Sequence, residues 1–206
     1  MKSLPVLAIA MVQLFLCLAH WFLYRTWIDF WWPLSAQATD ALRVAFLLLS
    51  FLFLAATVLS FSVANRFVTF LYRAACLWLG LLNFLFWAAW IAWIIDLALR
   101  IVVPTSVRLQ IRPWLAGGLL LAAIAVTIYG LVNARRIRLR RVSIKLANLP
   151  AAWVGRTALV VSDIHLGNIN GERFARRIAA MARQLDPDII FIPGDLFDGM
   201  KVNPER

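Results

Sequence analysis

The sequence predicts a four-helix transmembrane domain followed by the N-terminal part of an α/β domain. Three observations support this prediction: the composition, four uncharged stretches of equal length, and a strand–helix–strand pattern late in the chain. Of the 206 residues, 63% are hydrophobic and 15% are charged, and the mean hydropathy is +0.81. Soluble domains are roughly 45–50% apolar and about 25% charged. The composition therefore excludes an ordinary soluble globule, a disordered chain and a collagen-like fibre.

The net charge of +11 suggests a nucleic-acid-binding protein until the charges are located along the chain. Residues 1–134 contain 8 basic and 3 acidic side chains, and residues 135–150 contain 6 basic and none acidic. Residues 151–206 contain 7 of each and are neutral overall. The basic charge thus belongs to the flanks of apolar segments and to one short stretch. We therefore expect no nucleic-acid partner.

Four uncharged stretches of 22 residues divide the first 134 positions, at 3–24, 44–65, 74–95 and 113–134. A helix rises 1.5 Å per residue, so about 20 apolar residues cross the hydrocarbon core of a bilayer. We predict a four-span transmembrane domain over residues 1–134. A cleaved signal peptide is the alternative for the first stretch, but the stretch is too long and no small-residue cleavage site precedes Arg25.

An even number of spans places both termini on the same side of the membrane. That side would carry nine Lys and Arg residues, against five on the other side. Basic residues accumulate on the cytoplasmic side. We therefore predict a multi-pass protein of the cell (inner) membrane whose termini and second domain are cytoplasmic.

Polar residues within the spans give little sign of a transport pathway. None of the four stretches contains an acidic residue, which disfavours a transporter or channel. His20 lies near a helix end without a metal-ligating neighbour, and we expect it to be structural. Trp87, Trp90 and Trp93 recur on one helical face, where packing or lipid contact is favoured over a ligand cage.

Residues 135–150 alternate basic and apolar side chains, which predicts a half-buried juxtamembrane strand. Its six basic residues would face anionic headgroups. A solvated strand face combined with a stop-transfer signal is the alternative, and the two interpretations are compatible.

A β-α-β unit is predicted in the part that follows, residues 151–206. The apolar run 158–162 is typical of a buried parallel strand, and residues 172–185 have the pattern of an amphipathic helix. Residues 189–192 form a second apolar run, predicted to be another buried strand. A right-handed crossover would make the two strands parallel.

Candidate metal ligands follow both predicted strands. Asp163 and His165 come after the first strand and Asp195 after the second, beyond strand ends that lie about 4.8 Å apart if the strands are adjacent. Residues 163 and 165 point the same way if the strand geometry persists. Carboxylate and imidazole ligands suit Mn, Fe, Zn or similar ions. Two such ions clamp a phosphoryl group and activate water.

The run V-V-S-D-I-H-L-G, the helix, and the run I-I-F-I-P-G-D-L-F-D-G resemble the opening half of calcineurin-like metallophosphoesterases, in particular membrane-anchored bacterial members. The resemblance implies a two-sheet α/β sandwich and two divalent metal ions. It implies that Asp163 and His165 bind the first metal and that Asp195 bridges both. Asp198, in the loop after the G-D motif, is expected in a turn or supporting role rather than as a ligand.

The family's later motifs, G-N-H-D/E and the final histidine motifs, are absent, since His20 and His165 are the only histidines. We therefore expect an incomplete sandwich, with the chain being a fragment. A short protein with a decayed site is the alternative.

The expected function is that of a membrane-anchored, metal-dependent phosphoesterase acting on a phosphate monoester, a diester or a pyrophosphate. Its partners would be the lipid bilayer and a phosphorylated small molecule or lipid-linked substrate. The alternative is a non-catalytic membrane scaffold or sensor with a vestigial phosphoesterase domain.

Overall fold

A computed structural model describes residues 3–31, 33–63 and 65–198. Residues 199–206 of the predicted second domain therefore lie outside the described residues, whereas the three candidate metal ligands lie within them. The described chain begins with four long helices that are apolar enough to cross a membrane. They are α1 (Ser3–Phe30), α2 (Ala36–Ser62), α3 (Arg66–Val102) and α4 (Thr105–Ala134).

The helices are longer than the uncharged stretches that predict them. Helix α3 has 37 residues, which corresponds to about 55 Å, whereas the hydrocarbon core is about 30 Å thick. It continues past Asp96 and ends before Pro104, because a charged residue does not end a helix but a proline does. An acidic residue therefore lies within a candidate span, and the expectation of spans without acidic residues was wrong in this respect.

The helical unit comprises residues 1–58 and 74–137. Its core consists of Leu16 and Leu23 from α1 with Leu82 and Ala89 from α3. Partly buried apolar side chains from α1, α2 and α3 surround this core: Phe22, Phe46, Phe53, Leu79 and Leu85. Side chains of α1 thus pack against those of α2 and α3.

Two tryptophans of α3 donate hydrogen bonds to polar side chains of α1. Trp78 Nε1 donates to His20 Nε2 at 2.9 Å, and Trp93 Nε1 donates to Thr26 Oγ1 at 2.9 Å. The Nδ1 atom of His20 lies 2.7 Å from the Leu16 carbonyl oxygen and is assigned as the donor. With both ring nitrogens bonded within the protein, His20 has the structural role expected for it, and Trp93 has the packing role.

The second unit contains residues 59–73 and the chain from Arg138 onward. A short 3-10 helix, Ala151–Trp153, precedes β1 (Ala158–Val160), α5 (Glu172–Leu185) and β2 (Ile189–Phe191). The two strands are parallel, with Ala158 opposite Ile189 and Val160 opposite Phe191. The predicted β-α-β connection is therefore confirmed.

Helix α5 has the amphipathic pattern that its sequence predicts. The apolar side chains Phe174, Ile178, Met181 and Leu185 are partly buried, and the four arginines of the helix are exposed. The helix ends at Leu185; the next residue, Asp186, has a left-handed φ of 45°, and the following proline cannot continue the helix.

Two details of this unit differ from the predictions. No strand forms between residues 136 and 149, since an alternating pattern becomes a strand only when a neighbouring strand pairs with it, and none does among the described residues. The strands β1 and β2 are largely exposed rather than buried, with Val160 62% and Phe191 50% exposed. Burial requires layers over both faces of the sheet, which the described residues do not supply.

Candidate functional site

The parallel pairing of β1 and β2 continues into the loops that carry the candidate metal ligands. The backbone N–H of Asp163 donates to the Pro193 carbonyl oxygen at 3.3 Å. Two residues later, the N–H of His165 donates to the Asp195 carbonyl oxygen at 3.1 Å. The D-x-H and G-D segments therefore lie side by side beyond the carboxyl ends of the strands, where open α/β sheets bind ligands.

Gly194 allows this close approach of the two loops. Its φ is 81°, a left-handed conformation that favours glycine. A Cβ atom at position 194 would overlap the Oδ1 atom of Asp163. That same Oδ1 atom accepts a hydrogen bond from the backbone N–H of Asp195 at 3.4 Å. The G-D turn thus holds the Asp163 carboxylate against the next loop.

Asp198 orients His165. Its Oδ1 atom lies 3.1 Å from His165 Nδ1, and because an ionised carboxylate only accepts, Nδ1 is assigned as the donor. Metal-binding histidines commonly have such a carboxylate partner, which fixes the ring and raises its basicity. The His165 side chain is 44% exposed. The contact agrees with the supporting role expected for Asp198.

The candidate ligands nevertheless do not form a complete metal site. Among the residues that the structure describes, no three His, Cys, Asp or Glu side chains are grouped so that they could hold a metal ion. The strand geometry expected to align Asp163 with His165 ends at Val160, and both residues have left-handed φ angles, 50° and 48°. The expectation that their side chains point the same way therefore does not apply. Asp163, His165 and Asp195 share one edge of the sheet but not one coordination sphere.

The loop that follows His165 is held by the first turns of α3, which belong to the same compact unit. Arg73 Nε donates to the Asn168 carbonyl oxygen at 2.5 Å, and Thr69 Oγ1 donates to Asn168 Oδ1 at 3.3 Å. Within the loop, Asn170 Nδ2 donates to the Ile164 carbonyl oxygen at 3.1 Å. The loop that contains the buried Ile164, 7% exposed, is thus held both by side chains of α3 and by its own Asn170.

A carboxylate clamp ties the strands together at the opposite end of the sheet. Asp188, just before β2, accepts from the backbone N–H of Thr157 at 2.7 Å and from Arg156 at 2.5 Å. The Thr157 N–H and the Arg156 guanidinium lower the pKa of the Asp188 carboxyl from 3.8 to about 2. The clamp joins the residue before β2 to the residues before β1, and it thereby supports the parallel pairing of the two strands.

The helical unit contains a buried ion cluster that was not expected from the sequence. Asp96, with no exposed surface, accepts hydrogen bonds from Arg100, Arg108 and Arg112. The spacing of Asp96 and Arg100, four residues apart in a helix, is a signal that was present in the sequence. The two longer-range partners depend on how α3 packs against α4, which no local pattern reports.

Comparison with curated proteins finds a partial relative. A Danio rerio protein described as "Transmembrane protein with metallophosphoesterase domain" is 38% identical to this chain over 80 residues. The matched residues are 38% of this chain and span 18% of the relative's length. No protein-family profile and no solved structure matches the chain. The similarity supports a membrane protein of metallophosphoesterase-like kind.

Proposed function

We propose that this protein acts as a membrane-anchored, metal-dependent phosphoesterase that hydrolyses a phosphate monoester, a diester or a pyrophosphate. The observation that carries the proposal is the parallel register that places the D-x-H and G-D loops side by side. The four apolar helices and the name of the Danio rerio relative support the membrane-anchored kind.

In this proposal Asp163, His165 and Asp195 supply ligands to divalent ions such as Mn, Fe or Zn, two in the full centre. Their oxygen and nitrogen donors have the chemistry that these ions prefer. The contact of Asp198 with His165 Nδ1, at 3.1 Å, leaves Nε2 as the ligating atom. Because the described residues give no three-ligand group, further ligands or a rearrangement of these loops would complete the site.

We further propose that the site lies on the cytoplasmic side of the cell (inner) membrane. The support is the excess of Lys and Arg on the side shared by both termini, including the six basic residues at 135–150. A lipid-linked phosphate is the first substrate class that we propose. A phosphorylated small molecule remains the second substrate class.

The test is metal binding and hydrolysis by the full chain in detergent. Mn²⁺ binding is followed directly by titration, and hydrolysis is followed with bis-p-nitrophenyl phosphate, with and without EDTA. Asp195→Asn should abolish both signals. Asp186→Asn is the matched control, because Asp186 caps α5 outside the candidate site and asparagine tolerates its left-handed φ of 45°. Hydrolysis that survives EDTA or Asp195→Asn would refute the proposal.

The non-catalytic scaffold or sensor is the second candidate. The absence of a three-ligand group among the described residues favours it. It predicts no Mn²⁺ uptake even by the complete gene product, so titration of that product separates the two functions, whatever substrate is chosen.

A further inference from the structure

The most strongly charged feature of the helical unit lies where α3 and α4 approach each other. Arg112 bonds Asp96 through two nitrogens, Nε at 2.7 Å and Nη2 at 2.8 Å. Arg108 Nη1 reaches both Asp96 oxygens, at 3.1 Å and 2.9 Å. Arg100 Nε adds a longer bond of 3.4 Å. One carboxylate thus serves three guanidinium groups.

All three nitrogen atoms of the Arg112 guanidinium group donate hydrogen bonds within the protein. Its remaining terminal nitrogen donates to the Asp29 carbonyl oxygen at 3.2 Å, and its guanidinium carbon lies 5.0 Å from the centre of the Phe30 ring. These contacts join α4 to the end of α1. Arg112 and Asp96 therefore form a scaffold that joins α1, α3 and α4.

Arg100 and Arg108, in contrast, have N–H donors that are available to a ligand. Within the described residues, neither the two terminal nitrogens of Arg100 nor Nε and Nη2 of Arg108 donate to a protein acceptor. Three arginines against Asp96 leave the cluster with a charge of +2. The nearby Asp29 side chain pairs with Arg25 and also interacts electrostatically with Arg112, so it offsets only part of this excess.

We expect the cluster to lie near the membrane interface, where lipid headgroups are found. Asp96 directly follows the uncharged stretch 74–95, and Arg108 lies in the first turn of α4. Beside Arg100, the side chains of Ile101 and Val102 are 86% and 77% exposed. The remaining positive charge, next to an exposed apolar surface, attracts anionic groups.

We propose that Arg100 and Arg108 form a binding site for a phosphate group at the membrane interface, that of an anionic phospholipid or free phosphate. Guanidinium groups bind phosphate oxygens through paired N–H donors, and the geometry of Arg112 on Asp96 fixes Arg108 in place. The Arg100 side chain is 51% exposed and is thus able to reach an outside ligand. This site is separate from the candidate metal ligands and does not depend on the proposed function.

The test measures phosphatidylglycerol binding by the full chain in detergent, through native mass spectrometry and thermal unfolding, with phosphatidylcholine as the zwitterionic reference. Arg100→Gln and Arg108→Gln should each weaken phosphatidylglycerol binding about tenfold, as loss of a charged hydrogen bond implies. Arg43→Gln is the matched control, because Arg43 lies near the start of α2, is 63% exposed, and pairs with Asp40 alone among the residues that the structure describes. It should bind like the unmodified chain.

Inorganic phosphate distinguishes the two sources of the ligand. If millimolar phosphate stabilises the chain in phosphatidylcholine and Arg100→Gln removes the effect, the site takes free phosphate. If only phosphatidylglycerol stabilises it, the site takes the headgroup. Arg100→Gln is the decisive variant, because it removes a single 3.4 Å bond to the scaffold and should leave the helical content unchanged. Unchanged phosphatidylglycerol binding in both variants, or an equal loss in Arg43→Gln, would overturn the proposal.

Discussion

The helical unit and the β-α-β unit hold their polar side chains in opposite ways. In the helical unit, His20, Thr26 and Asp96 are buried and contact side chains from neighbouring helices. In the β-α-β unit, His165 is 44% exposed and is positioned by a neighbouring loop. Polar groups thus assemble the first unit, whereas in the second they are presented to solvent. Charged side chains inside the apolar unit therefore hold helices together, whereas polar side chains at the edge of the sheet remain accessible to a ligand.

Asp96→Ala should give the largest loss of stability, because it leaves the largely buried Arg108 and Arg112 without their carboxylate partner. Breaking one side of a buried ion pair costs about 3–5 kcal/mol. We expect thermal unfolding of the full chain in detergent to shift strongly downward. Asp40→Ala, which removes an exposed carboxylate 62% accessible to solvent, is the control and should leave the transition in place. Equal unfolding temperatures for the two variants would show that the cluster does not hold the helices.

Gly194→Ala should have an intermediate effect on stability and on Mn²⁺ binding, and this effect should be confined to the β-α-β unit. A left-handed conformation costs an alanine about 1–2 kcal/mol, and its Cβ would displace the Asp163 carboxylate. We expect weaker Mn²⁺ binding and faster amide exchange in residues 161–166. Gly171→Ala is the matched variant, since nothing lies within 4 Å of a Cβ there. If both variants bind Mn²⁺ alike, the close approach of the two loops does not matter for the site.

Acid should loosen the β-α-β unit through Asp188, with the smallest effect. The pKa of Asp188 is lowered by folding, to about 2 from 3.8, so its contribution is present above pH 4 and is lost as the pH falls toward 2. Amide exchange in β1 and β2 should therefore accelerate across this range. Asp188→Asn should remove that part of the pH dependence, and an identical profile in both proteins would contradict the clamp.

The main elements could be predicted because they depend on simple rules. Four helices follow from uncharged stretches long enough to cross a bilayer, and the β-α-β order follows from the apolar runs on either side of residues 172–185. The position of Asp195 beside the D-x-H loop followed from the parallel crossover. These features depend on periodicity and chain connectivity, which the sequence states directly.

The features that could not be predicted depend on tertiary contacts. The partners of Asp96 in α4 lie twelve and sixteen residues away, and they meet only because two helices pack. The left-handed conformations of Asp163 and His165 have no local signal beyond the tolerance of Asp and His for positive φ. The alternation in residues 135–150 indicated a strand, but no neighbouring strand pairs with that segment among the described residues.

The two-stranded sheet has a consequence for how the protein behaves at high concentration. Within the described residues, β1 and β2 pair only with each other, so each strand has an unpaired edge. Val160, Ile190 and Phe191 are 62%, 47% and 50% exposed on these strands. Apolar strands with open edges promote pairing between copies and aggregation. We therefore expect residues 158–160 and 189–191 to contribute to association between copies of the chain at high concentration.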